Sequence, residues 1–280
     1  MHHRSVPRTY FHIPRRHRKV LYTAALMARV KVRRGNEDLR ELPSYSITEA
    51  AYYLGIPPST LKTWFRGYRA PSGRRHPPML KPADGRRLLL SFYNLVEAHI
   101  LEAARRRRVN TKRLRIAVEW ANENLPGPHP LLTHEFKTAG KRVFLQKLEG
   151  NTVEASRYGQ IVSLKMAPML KKFLKTIIRG PDDLPIEIHP IRPAPAKSAR
   201  EEEEPKRVYV VEGPLAINPK ICSGRPVVRG TDVLASVLRL RVHASESLSD
   251  LEKDYGLDTS EIFKVVKYLD KTSPASHVLS

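Results

Sequence analysis

Cysteine is nearly absent: Cys222 stands alone in 280 residues. No intrachain disulfide can form, which excludes the stapled secreted scaffolds and fits a cytosolic setting. Its neighbours, ICSGRP, read as a turn and no histidine lies at motif spacing, so the residues do not suggest a thiol nucleophile. Long apolar runs are missing too. The longest near the start, VLYTAALMARV, falls well short of the roughly 18 residues a membrane span needs, and basic residues flank it on both sides. Also missing are a carboxylate cluster, Cys/His metal-ligand spacing, a nucleophile beside a base and a phosphate-cradling glycine loop. Catalysis, a metal and a cofactor therefore find no support in the residues; His2 and His3 are adjacent but have no partner cluster.

Acid is scarce at one end of the chain. Residues 1–130 hold 26 Lys and Arg against 9 Asp and Glu, residues 131–200 hold 13 against 6, and residues 201–280 hold 11 against 13. The net charge of +22 therefore sits towards the start. One part suits a polyanion and the other does not, as expected of a nucleic-acid reader joined to a module with another task. The first 19 residues, MHHRSVPRTYFHIPRRHRK, are basic and free of acids. Transit peptides and nucleic-acid-binding tails share that composition, and translation from Met27 would omit it. The expectation is a basic, disordered tail over residues 1–40.

Local signals agree best in YSITEAAYYLGIPPSTLKTWFRGYR. Ser46 and Glu49 form an S-x-x-E capping box, so a helix is predicted from Ile47, with Ile47, Ala50, Ala51 and Leu54 on its inner face. Gly55 stops that helix in a left-handed conformation. Pro58 suits the start of a second helix running to Arg66, with Leu61, Trp64 and Phe65 inward. Two helices joined by so short a turn make a helix-turn-helix. The opposite face of the second helix displays Ser59, Thr60, Lys62, Thr63 and Arg66, hydroxyls and cations suited to phosphates and base edges. Beyond it, GYRAPSGRRHPPML carries Arg69, Arg74 and Arg75 in a Gly/Pro-rich loop that reads as a wing.

These residues, followed by LKPADGRRLLLSFYNLVEAHILEA, resemble the winged helix-turn-helix of MerR-type regulators over roughly residues 44–125. In that family the first two helices and the wing touch operator DNA, which implies Thr60, Lys62, Thr63, Arg66, Arg69 and Arg74 here. No heptad run of three repeats follows, unlike that family's long dimerising coil. Further helices are predicted from about Ser91 to Arg107 and from Thr111 to Leu125. The run Arg105 to Arg108 suits either phosphate or the helix C-terminus.

After LPGPHP, short apolar pieces around Phe136, Val143, Leu145, Val153 and Ile161 read as hairpins, and APMLKKFLKTIIR as a helix. Residues 189–207 combine Pro, Ala and Glu201 to Glu204, a linker composition. From Val208 two strands, VYVV and Val227–Val228, precede three helices. The first starts at Asp232, the second is capped by Ser247 and Asp250, and the third by Asp258 and Glu261. INPKICSGRPVVRGTDV resembles the domain of unknown function family four-hundred-thirty-three, with Asn218, Pro219, Gly224, Pro226, Gly230 and Thr231 matching its pattern in order. Asp232 stands where that family often has Arg. The resemblance implies a VapB-like antitoxin encoded beside a PIN-like nuclease toxin. The acidic balance of this module argues against phosphate contact. Arg225 and Arg229 could pair with a partner's carboxylates, or pair internally.

The expected fold is mainly α with small β elements. It comprises a winged helix-turn-helix over residues 41–125, a β-hairpin segment with a helix over 126–188, a linker over 189–207, and a trihelical, helix-turn-helix-like domain over 208–280. The expected function is a non-enzymatic, cytoplasmic bacterial antitoxin. It would bind a PIN-like ribonuclease toxin through Arg225 and Arg229. As a homodimer, it would bind double-stranded operator DNA through Ser59, Thr60, Lys62, Thr63, Arg66, Arg69, Arg74 and Arg75. The alternatives are a MerR-like regulator without a toxin and, from other classes, an RNA binder or a nuclease.

Overall fold

The computed structural model describes residues 37–106, 109–133, 174–193, 210–211 and 213–270. The hairpins expected over 136–164, the first residues of the helix expected over 167–179 and the bulk of the basic tail and linker lie outside these residues. Among the described residues, no helix is long and apolar enough to cross a membrane.

The head begins with α1 (Ile47–Leu54). The Glu49 carboxylate accepts from the Ser46 N–H at 2.9 Å while Ser46 Oγ accepts from the Glu49 N–H at 3.2 Å, the reciprocal box the sequence predicts. Gly55, at φ 63°, ends the helix. Next comes α2 (Pro58–Arg66), which buries Leu61, Trp64 and Phe65. A hairpin of β1 (Tyr68–Arg69) and β2 (Arg75–His76) follows. Then come α3 (Phe92–Arg105) and α4 (Thr111–Asn124), capped by Ser91 and Asn110.

Helix α3 is the centre of the head. Every residue from Phe92 to Ala104 is buried, including Asn94, Glu97, His99 and Glu102. Such burial is tolerable only where each polar group is answered. Glu97 accepts from Asn94 at 3.2 Å and pairs with His129 at 3.1 Å. Glu102 takes Arg105 at 2.6 Å and Arg106 at 2.8 Å. Arg105 and Arg106 thus neutralise a buried carboxylate, a role neither expectation for the arginine run contained; residues 107–108 lie outside the described part.

The middle segment departs from expectation at its end. Ile177–Arg179 is not helical but forms β3, paired antiparallel with β4 (Pro185–Ile188). The β-branched pair Ile177–Ile178 and the tight turn at Gly180 to Asp183 favour a hairpin there. Part of the expected linker is also built into the fold. Ile191 is buried, and β5 (Arg192–Pro193) pairs with β6 (Val210–Val211). Near the start, Arg40 bridges Asp38 and Asp182 at 2.7 and 2.6 Å, so the last expected tail residues are folded.

In the tail, β7 (Leu215–Ala216), which the sequence reading did not single out, pairs with the expected strand β8 (Val227–Val228). Three helices follow: α5 (Ala235–His243), α6 (Leu248–Tyr255) and α7 (Thr259–Asp270). The first starts three residues later than expected, after a bridge between Val227 and Leu234. Asp258 and Glu261 exchange the two bonds of their capping box, whereas Ser247 makes no side-chain cap.

Head and tail interlock. Ile217, from the tail, is fully buried in the head's core cluster and exchanges backbone bonds of 3.0 and 2.9 Å with Ile188. Tyr52, from α1, packs against the tail's core.

Candidate nucleic-acid interface

Along α2 the side chains divide as helical periodicity requires. Leu61, Trp64 and Phe65 are at most 2 % exposed, while Ser59, Lys62 and Arg66 are exposed and Thr60 and Thr63 lie between. Thr63 Oγ1 donates to the Ser59 carbonyl at 2.8 Å, which leaves its oxygen lone pairs for an incoming donor. No side chain caps the first turn of α2.

The wing is tied to the end of α2, where the Trp64 carbonyl accepts from the N–H groups of Met79 and Leu80 at 2.8 and 3.0 Å. Gly67 makes the connection possible. It sits at φ 73°, and a side chain there would collide with the backbone of His76 and Pro77. The hairpin register sets Tyr68 opposite His76 and Arg69 opposite Arg75. Because side chains alternate along a strand, the two pairs belong to opposite faces. Tyr68 and His76 stack with centroids 4.5 Å apart. Two arginines directly opposite one another repel, and an anion between them relieves the repulsion.

Ion pairing separates the arginines into two sets. Arg40, Arg87, Arg105, Arg106, Arg225, Arg239 and Arg241 each have a carboxylate partner. Among the described residues, none pairs with Lys62, Arg66, Arg69, Arg74 or Arg75. Those cations therefore gather on α2 and the wing with no internal counter-charge, an arrangement that can neutralise phosphates. The structure thus brings together the eight residues proposed for DNA on one helix and the hairpin attached to it.

Sequence reasoning missed a second basic loop. Asp84 and Leu89 exchange backbone bonds of 3.0 Å, and Asp84 Oδ1 accepts from the N–H groups of Arg86 and Arg87. The hydrogen bonds from Arg87 hold the Asp84 carboxyl below its ordinary value. This loop presents Arg86 to solvent, and the Asp84–Gly85 dipeptide was its turn signal. Lys112 and Arg113 are exposed on the first turn of α4, whose Arg115 donates to the Pro77 carbonyl at the base of the wing.

Of the two arginines considered for a protein partner, Arg225 is engaged within the chain. It donates to the Glu49 carboxylate and, at 3.2 Å, to the Tyr53 hydroxyl. Arg229 is exposed. Among the described residues no cluster of His, Cys, Asp or Glu could hold a metal.

Two family models fit this architecture. Residues 43–118, from just before α1 into α4, match "Putative DNA-binding HTH domain", and residues 215–269, from β7 to the end of α7, match "Protein of unknown function (DUF433)". "Putative antitoxin VapB45" of Mycobacterium tuberculosis is 26 % identical over 247 residues, covering 81 % of this chain and 95 % of that protein. The chain is thus similar to a putative VapB-type antitoxin along most of that protein's length. "Uncharacterized protein Rv2308" of the same organism is also 26 % identical, over 235 residues and 90 % of its length. The crystal structure of Rv2018 from Mycobacterium tuberculosis superposes with a TM-score of 0.56 at 21 % identity, covering 80 % of this chain and 98 % of that one, a likeness of fold. The head match thus falls on the helices and wing that carry the unpaired cations, and the tail match on the trihelical module.

Proposed function

We propose that this VapB-like chain is the antitoxin of a type II toxin–antitoxin pair. It neutralises a PIN-like ribonuclease toxin by direct binding and represses its own operon, as a dimer on operator DNA. The observation that carries the DNA half is the set of cations on α2 and the wing without an internal counter-charge, beside the displayed Ser59 and Thr60. Phosphate contacts by Lys62, Arg66, Arg69, Arg74 and Arg75 position the head, and Thr60, Thr63 and Ser59 face base edges. The tail reads as the protein-binding half. Three of its acids have internal partners, with Arg241 taking Glu246 and Asp254, and Arg239 taking Asp270. Arg225 and Arg229, on the turn between β7 and α5, are the proposed contacts for an acidic toxin site.

Co-expression with the product of the adjacent gene, followed by affinity purification and a growth assay, tests the antitoxin half. Co-purification with rescued growth is expected. Absence of both, with tight binding to the chain's own upstream DNA, would leave a stand-alone MerR-like regulator.

A further inference from the structure

The tail grips the helix-turn-helix on one element, α1. Just before its cap, the Tyr45 hydroxyl, in a side chain 1 % exposed, donates to the Gly224 carbonyl at 3.0 Å. One residue on in the tail, Arg225 reaches both Glu49 and Tyr53. From the far end of the tail, the Leu269 carbonyl accepts from the Tyr52 hydroxyl at 3.3 Å. Tyr45 and Tyr52 each meet the Tyr53 ring edge-on, at 6.3 and 6.0 Å between centroids. Gly224 is indispensable to this approach, because at φ 76° it presents no Cβ where one would overlap the Tyr45 hydroxyl.

The other side of α1 carries Ala50, Ala51 and Leu54, buried in the same core as Leu61, Trp64 and Phe65 of α2. The first helix is thus a wall shared by the tail and the DNA-facing helix. Glu49 links the two jobs. Its carboxylate closes the cap on Ser46 and receives Arg225 at the same time. Burial opposes its ionisation, but the Ser46 N–H and Arg225 outweigh that and hold the carboxyl below its ordinary value. Removing Arg225 therefore loosens the cap and the tail's hold together.

We propose that Arg225 is a positioning residue for operator recognition: by holding Glu49 and Tyr53 it fixes the orientation of α1, and through α1 the angle at which α2 meets DNA. The tail then acts on DNA without touching it. This rests on the DNA-binding reading of the head.

The test uses the full chain and two duplexes, one from its own upstream region and one of unrelated sequence. Binding is followed by fluorescence anisotropy at several salt concentrations, well below the melting temperature. Wild type is expected to prefer its own upstream duplex; failure to do so would remove the DNA reading and this proposal with it. Given that preference, R225Q and E49Q should each lower the specific-to-unrelated affinity ratio by about three- to tenfold. The double variant should fall no further than the worse single, because both remove one interaction. The salt dependence on the unrelated duplex should be kept, since no phosphate-facing cation is altered. Gln is itself a capping-box residue, so E49Q retains the fold, and Y52F provides a third, independent weakening of the same seam. An unchanged ratio in E49Q and Y52F, or a double variant whose losses simply add, would overturn the proposal even if melting temperatures fall.

Discussion

His99 should make this protein acid-sensitive by an amount that can be isolated. It lies in the middle of α3, 1 % exposed, with Nε2 3.0 Å from Thr176 Oγ1. Burial first, then Arg106 and His189, push its pKa down to about 3. An unfolded-chain histidine titrates near 6.5, so between these values the unfolded state holds a proton that the folded state refuses. The contribution is therefore intact above about pH 6.5 and is lost as pH falls towards the folded value. At pH 5.0 the loss is the unfolded protonation ratio of about 1.5 decades, or roughly 2 kcal/mol at 1.36 kcal/mol per unit. The figure hardly changes for any folded value below about 4, because the folded state is then neutral at pH 5. Urea unfolding of wild type and H99Q at pH 7.5 and 5.0 measures it. Carboxylates and His129, whose pKa is raised by Glu97 against the opposing effect of burial, contribute to both chains and cancel. H99Q should lose about 2 kcal/mol less than wild type on acidification. Equal losses in the two chains would refute the claim that His99 is held neutral.

Gly224→Ala should destabilise by about 1–3 kcal/mol in thermal or urea unfolding, through the positive φ and the collision with Tyr45, and adding Y45F should restore part of that loss. Full stability in G224A would mean that the turn does not press against α1. Ile217→Ala should cost about 2–5 kcal/mol, a head-core cavity opened by a tail residue, and a loss below about 1 kcal/mol would show that Ile217 is not packed as described. Arg74→Ala should reduce the slope of log Kd against log salt by about 1 on any duplex, and an unaltered slope would remove the wing tip from the DNA interface.

Most of the head was legible because its signals are local. The Ser46–Glu49 box, the Gly55 stop and Pro58 at a helix start each act within one or two turns of chain, and all three appear where the sequence puts them. The wing followed from a Gly/Pro-punctuated basic loop, and the inward face of α2 from periodicity. Periodicity failed at Ile177–Arg179, where a run compatible with a helix had a strand partner six to eleven residues further on. It was also silent about Glu97, His99 and Glu102. Polar residues on a helix suggest a solvated side until packing encloses all sides, and only then must each find a partner.

By itself the sequence determined the helices and wing of the head, the Ser46 and Asp258 caps, the basic face of α2 and the separation of positive head from near-neutral tail, since each depends on neighbours in the chain or on charge alone. Tertiary structure decided which strands pair, which arginines are neutralised and which are left for an anion, and above all that Arg225 meets Glu49 across 176 residues of chain. A side chain's partner depends on where distant segments pack, and no spacing rule records that distance.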